Sequence, residues 1–376
     1  MTSILARITA QFLIGQEISG LKVLHSRQDD ALHQGARTKP DNLQHWRQSA
    51  HPRPPHRARP LNGHRSEAPM ATTDSDRQRE TLRAIAQEQI SILPTIASKL
   101  GPTGDDAVRK CGKFTLNNLP YLDPNLCPAY PAPATIGVIN EDTLNAAIDM
   151  SQRRLLSDDD SPPNLGSSPY PAVVNFANRH SPGGGWLNGA LAQEEAICYR
   201  SSLAMSLDSA SYPLSTNEAL YSPHVLVVRD SLAQGHNILY PNVPVEHLPV
   251  VSVLTVAALY HPDVKVFDVK SRAGSGALPR EKRVFARNSD RNLTKDKMRL
   301  VLRMAASKGH RMLVLGALGC GVFENPPEDV ANCWLEVLRE DEFSGNWWRD
   351  VCFAVYDPNG EGNYEIFKQI LHGKDV

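Results

Sequence analysis

No stretch of the 376 residues approaches the roughly 20 consecutive apolar side chains that cross a bilayer. A charged n-region leading into an apolar h-region and a small-residue cleavage site is also missing. Both absences predict a soluble, intracellular protein with no membrane partner. The six cysteines, Cys111, Cys127, Cys198, Cys320, Cys333 and Cys352, stand far apart. They make no C-x-x-C pair and no Cys/His cluster of metal-ligand spacing, so neither a disulfide framework nor a metal site is indicated. They read as reduced thiols in a chain long enough to bury its core without staples. No charge of one sign dominates: 40 Lys and Arg face 41 Asp and Glu, a net charge of -1. The distribution is uneven, because Met1–Met70 holds 10 basic and 5 acidic residues, or +5, which leaves -6 for the rest. A polyanion would therefore be held by local backbone donors and loops rather than by a broad basic face.

From about Ser26 to Pro69 the chain is crowded with His, Arg, Pro, Asn and Gln and has no sustained apolar period, as in HPRPPHRARP. Such a segment cannot offset its ordering entropy and is expected to be disordered. Met1 to His25 holds a weakly amphipathic stretch that could form a short helix or a transit peptide, with Glu17 and the lack of Arg enrichment against the latter. Met70 is a candidate alternative start. The expected division is thus an N-terminal extension over 1–72 and a folded unit over 73–376, helical over about 73–135.

Folded texture begins at Thr73, where N-cap candidates and strong helix formers precede Pro94, which is expected to break or kink the helix. Downstream, short β-branched runs alternate with helical periods: Ala172–Phe176, His224–Val228, Val250–Val256, Arg311–Ala317 and Val351–Asp357. Near-continuous apolar strands belong to a sheet covered on both faces. Thr294 is the expected cap of a helix with Met298, Val301, Leu302 and Ala305 on its apolar face and Gly309 at its end. This order implies an α/β layered domain. Ser271–Arg291, polar and basic, reads as a surface insertion, and no internal repeat is present.

Two glycine loops carry the chemistry. Gly183, Gly184 and Gly185 follow an apolar strand, and three consecutive glycines indicate either a structural turn or a backbone that must approach something closely. After seven residues come Gln193, Glu194 and Glu195. Two adjacent carboxylates at the start of a helix are favoured by its dipole, and one of them can be aimed at a cleft. The second loop, with Gly316, Gly319 and Gly321, also follows a buried strand, and Asn325, Pro326 and Pro327 read as the N-cap and first turn of the next helix. Strand, glycine loop and helix N-terminus together suit a pyrophosphate. There is no Walker lysine and no G-x-G-x-x-G with an acidic ribose reader, so P-loop and Rossmann readings fail.

The combination of Gly183–Gly185, seven residues, Gln193-Glu194-Glu195, the preceding Asn175-Phe176-Ala177-Asn178 and the distant Gly319-Cys320-Gly321-Val322-Phe323 resembles the microbial-type poly(ADP-ribose) glycohydrolase family of the macrodomain superfamily, over roughly Asn140 to Leu371. The resemblance implies a macrodomain-like three-layer α/β/α sandwich around a central mixed sheet. It implies Glu195 as catalytic acid and base, with Glu194 beside it. Asn178 would hydrogen-bond the terminal ribose, the loop of Gly183, Gly184 and Gly185 with Gln193 would wrap the distal ribose and diphosphate, and Gly319, Cys320, Gly321, Val322 and Phe323 would supply the diphosphate loop and the aromatic that packs on ribose. Leu318 departs from the family, whose members usually carry an aromatic residue there. Plainer readings hold for His180 as an exposed loop residue, for Cys320 as a small loop residue rather than a nucleophile, and for Trp334, Trp347 and Trp348 as core.

The reaction so implied is hydrolysis of a ribose-ribose O-glycosidic bond in poly(ADP-ribose), releasing ADP-ribose. Glu195, held protonated in a closed pocket, would give its proton to the leaving oxygen and take one from the attacking water, and Glu194 would orient the ribose hydroxyls. No metal or other cofactor is needed. Partners are poly(ADP-ribose) or ADP-ribosylated macromolecules, and the protein is expected to act as a monomer. A mono(ADP-ribosyl) hydrolase, or a hydrolase of another ADP-ribose derivative, would use the same pocket. A non-catalytic reader would not need the acid.

Overall fold

The computed structural model describes residues 73–155, 168–269 and 280–376. The expected N-terminal extension, 1–72, lies outside the described residues, as do 156–167 and 270–279.

Helix α1 (Asp74–Ser98) opens on Thr73, whose hydroxyl accepts from the Asp76 N–H while Asp76 reaches back to the Thr73 N–H, a closed capping box. Leu82, Ala86, Ile90, Leu93 and Ala97 recur at helical spacing and are buried. Of the two expected effects of Pro94, a break does not occur, since the helix continues to Ser98. Pro94 removes one hydrogen bond near the last turn, and burial of Leu93 and Ile96, about 1.5–3 kcal/mol each, outweighs that loss. α2 (Gly101–Arg109) follows. The expected helical region to about residue 135 is then interrupted by strand β1 (Gly112–Thr115), which is too short to show a period in sequence.

The remaining elements are β2 (Gly137–Ile139), α3 (Thr143–Leu155), β3 (Ala172–Phe176), α4 (Gln193–Arg200), α5 (Leu203–Ser206), β4 (Glu218–Leu226), β5 (Val250–Val256), β6 (Val264–Val269), β7 (Arg280–Phe285), α6 (Asn288–Ser307), β8 (Met312–Leu315), α7 (Pro327–Leu338), β9 (Asp350–Ala354) and α8 (Asn363–Leu371). Seven strands form one sheet in the order β1-β4-β5-β3-β8-β9-β2. The central pairs β5/β3, β3/β8, β8/β9 and β9/β2 are parallel, and β1/β4 and β4/β5 are antiparallel, so the sheet is mixed.

Side chains alternate between two cores. Val173 packs with Leu82, Leu144, Ile197 and Leu203 of the helices on one face. Its neighbours Ala172 and Val174 pack with Met298, Val301, Trp334 and Phe367 of the helices on the other. Burial on both faces is why β3, β5, β8 and β9 are mainly apolar, and it makes the domain a three-layer α/β/α sandwich. Trp334, Trp347 and Trp348 lie in the second core.

Three local expectations are corrected. α6 begins at Asn288, so Thr294 is inside it, its hydroxyl bonded to the Asp290 carbonyl one turn back. The cap of α7 is Pro326 rather than Asn325. The stretch expected as an insertion over Ser271–Arg291 contains, in its described part, β7 and the first turn of α6, with β7 paired antiparallel to β6 as a separate two-stranded ribbon.

Candidate active site

β3 ends at Phe176, and the chain turns through Asn178 into the first glycine loop. The Asn178 carboxamide oxygen accepts from the N–H groups of His180 (2.8 Å) and Ser181 (3.1 Å), an Asx turn that fixes the loop entry. His180 itself is exposed. Gly183 and Gly184 adopt φ of 66° and 60°, a region open to glycine. A Cβ at Gly184 would sit 2.3 Å from Glu195 Oε1 and 3.0 Å from Glu194 Oε2, and one at Gly183 would sit 2.8 Å from the Trp186 ring. The glycines therefore answer both readings of the run: a left-handed turn and a close approach, here to the carboxylate pair.

The loop is held from below and from the side. The buried Tyr199 hydroxyl lies 2.7 Å from the Trp186 carbonyl and 2.8 Å from that of Ala190. Arg83 of α1 donates to the Asn188 carbonyl at 3.1 Å, and Gly189 comes so close to α1 that a Cβ would fall 2.1 Å from the Arg79 carbonyl.

Helix α4 presents the paired glutamates at its N-terminus. Gln193 is tied to the sheet: its oxygen accepts from the Phe176 N–H at 2.8 Å, and its amide nitrogen donates to the Val174 carbonyl (2.7 Å) and to Thr143 (3.2 Å). Expected to contact substrate, Gln193 instead fixes α4 against β3 and α3. At the other end of α4, the buried Arg200 donates to Asp142 and to Asn145 at the start of α3. Both ends of this short helix are thus anchored to the same turn of α3.

Glu194 is 2% exposed, and both of its oxygens are engaged. Oε2 accepts from the Asn178 N–H at 2.6 Å and Oε1 from the Asn175 side chain at 3.3 Å. Burial pushes its carboxyl up to about 8, opposed by the Asn178 N–H and reinforced by the charge of Glu195. Glu195 is 8% exposed. Its Oε1 accepts from the Gly185 N–H at 2.8 Å, and its Oε2 makes no hydrogen bond among the described residues. One carboxylate is thus committed to the protein, while the other keeps an oxygen for chemistry.

The second loop follows β8. Asn325 holds it shut, its amide nitrogen donating to the carbonyls of Leu259 (2.7 Å), Gly319 (3.1 Å) and Phe323 (3.3 Å). Gly319, at φ 75°, would clash with Asn325 if it carried a Cβ, whereas a Cβ at Gly321 would meet open space. The N–H groups of Gly321, Val322 and Phe323 make no hydrogen bond among the described residues, so three consecutive donors remain for an anion. Leu318, at the family's aromatic position, is fully buried in the core. Cys320 is buried and its thiol is pushed well up by burial, which suits a packing residue and not a nucleophile. Phe323 packs edge-on against the exposed Tyr260 at 5.2 Å.

A cavity of about 480 Å³ adjoins this loop at Cys320 and Gly321, yet none of its lining is the glutamate pair. Glu281, Glu324, Glu328 and Glu361 line it against one cation, Arg283, so its wall is mainly acidic. Among the described residues no cluster of three His, Cys, Asp or Glu could hold a metal, and no helix is long and apolar enough to cross a membrane.

Sequence reasoning missed Tyr199, Arg200, Asp142 and Tyr260, and gave Asn175 a place in the motif but no role. Asn175 alone had a local signal, as a polar residue inside the apolar run AVVNF.

Residues 106–230 match the family model of the microbial-type PARG catalytic domain. Among solved structures, the poly(ADP-ribose) glycohydrolase of Thermomonospora curvata is 28% identical with a TM-score of 0.54, covering 77% of this chain and 99% of that one. The same enzyme bound to the inhibitor ADP-HPD is 29% identical with a TM-score of 0.53 over the same shares. The Deinococcus radiodurans enzyme in complex with ADP-ribose is 28% identical with a TM-score of 0.49, covering 71% of this chain and 96% of that one. No curated protein matches.

Proposed function

On the premise that this chain resembles the microbial-type poly(ADP-ribose) glycohydrolases in family, fold and glycine loops, we propose that it hydrolyses the ribose-ribose O-glycosidic bond of poly(ADP-ribose) and releases ADP-ribose. The observation that carries the assignment of roles is the inequality of the two glutamates. Glu195, with Oε2 unengaged at the mouth of the glycine loop, is the proton donor. Glu194, buried against Asn178 and Asn175, fixes the loop around it.

In this scheme the terminal ADP-ribose unit lies with its diphosphate on the free N–H groups of Gly321, Val322 and Phe323 and its ribose between Asn178, Gly183, Gly184, Gly185 and the glutamates. Glu195 protonates the departing ribose oxygen as the anomeric C–O bond breaks. Positive charge on the anomeric carbon is offset by the nearby diphosphate and by the Glu195 carboxylate left when its proton departs. Water then adds to that carbon and returns its proton to Glu195. Oxyanion and cation are never both unsupported, and no cofactor enters the scheme. The catalytic unit is 73–376, acting as an intracellular monomer on polymer or on ADP-ribosylated macromolecules, with 1–72 as an appended segment.

The test is a product assay with purified protein and poly(ADP-ribose), run beside an ADP-ribose binding assay. Glu195→Gln removes the proton but keeps the shape. Turnover should fall about 100- to 10,000-fold, the usual worth of general acid catalysis, with ADP-ribose affinity retained. A rate like that of the unaltered protein refutes Glu195 as the acid, and binding without hydrolysis in every form makes the protein a reader.

A further inference from the structure

The helix that bears the acid pair also grips the turn beyond it. Tyr199 stands four residues after Glu195, so both side chains leave the same face of α4. They reach opposite ends of one short turn, 185–190. Glu195 Oε1 accepts from the Gly185 N–H at 2.8 Å, and the Tyr199 hydroxyl lies 2.8 Å from the Ala190 carbonyl and 2.7 Å from that of Trp186. A phenol has a single proton to donate. The Trp186 carbonyl already accepts from the Gly189 N–H at 3.1 Å, whereas that of Ala190 has no other donor among the described residues, so the hydroxyl proton belongs to Ala190. Between these anchors the turn is closed on itself, the Gly185 carbonyl accepting from the N–H groups of Asn188 (2.9 Å) and Ala190 (3.2 Å). A movement at Ala190 is therefore passed to Gly185, and from the Gly185 N–H to Glu195.

The other side of the turn rests on α1, where Arg83 Nε donates to the Asn188 carbonyl at 3.1 Å and Gly189 abuts the Arg79 carbonyl. Two helices thus hold the segment that orients the carboxyl. Tyr199 itself cannot move a proton in the reaction. It is fully buried, and burial, with the charges of Glu195 and Cys198 added, pushes its hydroxyl well up, so it stays a donor across the working range. Its ring is set edge-on between Trp186 (6.0 Å) and His236 (6.1 Å), which fixes where the hydroxyl stands.

We propose that Tyr199 is a positioning residue of the hydrolysis: by holding Ala190 it sets the 185–190 turn, whose Gly185 N–H fixes Glu195 Oε1 and leaves Oε2 for the departing ribose oxygen, with Arg83 as the outer support of the same turn. The inference rests on the glycohydrolase reading and adds to it a residue outside the glycine and glutamate motif.

The experiment uses the full chain carrying Tyr199→Phe, which keeps the ring and loses only the hydroxyl, or Arg83→Ala, a change at an exposed side chain. Each is made alone and together with Glu195→Ala. Initial rates on poly(ADP-ribose), ADP-ribose affinity and denaturant unfolding are measured on every form. In Tyr199→Phe kcat should fall about 10- to 100-fold, the range for a reacting group displaced by up to about 1 Å, and in Arg83→Ala by less. KM and ADP-ribose affinity should stay unchanged in both. On the Glu195→Ala background neither change should lower the residual rate further, because the carboxyl they position is gone. The stability losses of Tyr199→Phe and Glu195→Ala should likewise be non-additive. An unchanged kcat in Tyr199→Phe overturns the proposal. So does the same fractional loss with and without Glu195, which marks a general loosening of the fold. A raised KM at unchanged kcat overturns it as well, by making Tyr199 a support of substrate binding. Absence of turnover in the unaltered protein sinks the glycohydrolase reading alone; the grip of Tyr199 on Glu195 is then decided by the unfolding cycle, and additive losses overturn it.

Discussion

Replacing Gly184 by alanine tests the geometry of the acid pair more directly than removing either carboxylate. The added Cβ would stand 2.3 Å from Glu195 Oε1, where ordinary contact begins at about 3.4 Å, so the carboxylate must retreat by about 1 Å. It cannot retreat freely, because Oε1 is held by the Gly185 N–H at 2.8 Å and Glu194 Oε2 lies 3.0 Å from the same Cβ. A displacement of about 1 Å at a reacting group can lower a rate about 100-fold. Backbone strain is a separate loss: a non-glycine residue at φ 60° costs about 1–2 kcal/mol. Gly184→Ala should therefore remain folded, melt only a few degrees lower, and hydrolyse poly(ADP-ribose) about 100-fold more slowly or worse. Gly321→Ala, where a Cβ meets nothing within 4 Å, is the control for a glycine that the protein's own packing does not require. Circular dichroism melts and initial rates, measured together, decide the matter. A Gly184→Ala enzyme within threefold of the unaltered rate would show that the loop yields without moving Glu195, and the reasoning would fail.

Two further outcomes follow from buried charge. Glu194 is pushed up to about 8 from an ordinary 4.5, so between those values the native protein keeps a proton that the unfolded chain has released, and stability falls as pH rises through that window. Melting curves should show this decline in the unaltered protein and lose most of it in Glu194→Gln; an equal slope in both would mean that Glu194 is not the group titrating. At the acid end His236 and His310, pushed down to about 4 by burial, take up protons in the unfolded chain first, so stability also falls as pH drops from 6.5 towards 4. Arg200→Met strips the partner from Asp142 and loosens α4 from α3. Denaturant unfolding should register a loss of about 1.5–3 kcal/mol, the usual worth of hydrogen bonds to a charged group, because the Asp142 left behind is part-exposed and keeps the Leu144 and Asn145 N–H groups; a loss below about 0.5 kcal/mol would show that the pair does not anchor the helix.

What the sequence determined by itself is the part encoded in consecutive residues. Four central strands were legible as Ala172–Phe176, Val250–Val256, Arg311–Ala317 and Val351–Asp357, because a strand buried on both faces has no polar alternation to confuse its reading. β4 was seen only from His224, although it starts at Glu218, and β1 and β2 were not seen at all, being too short to display a period. The glycine run and the glutamate pair were legible because loop and helix are separated by only seven residues, so their chemistry stays local. Tertiary structure decided which of the two buried carboxylates has both oxygens engaged and which keeps a free one. That difference comes from Asn175 and Asn178 reaching Glu194 across the β3–α4 junction. It turned Gln193 towards β3, set Arg200 against Asp142 across 58 positions of chain, and laid α1 against the loop at Gly189. Desolvation and electrostatic coupling depend on how many separate segments converge on a group, and a linear pattern of residue types carries no record of that convergence.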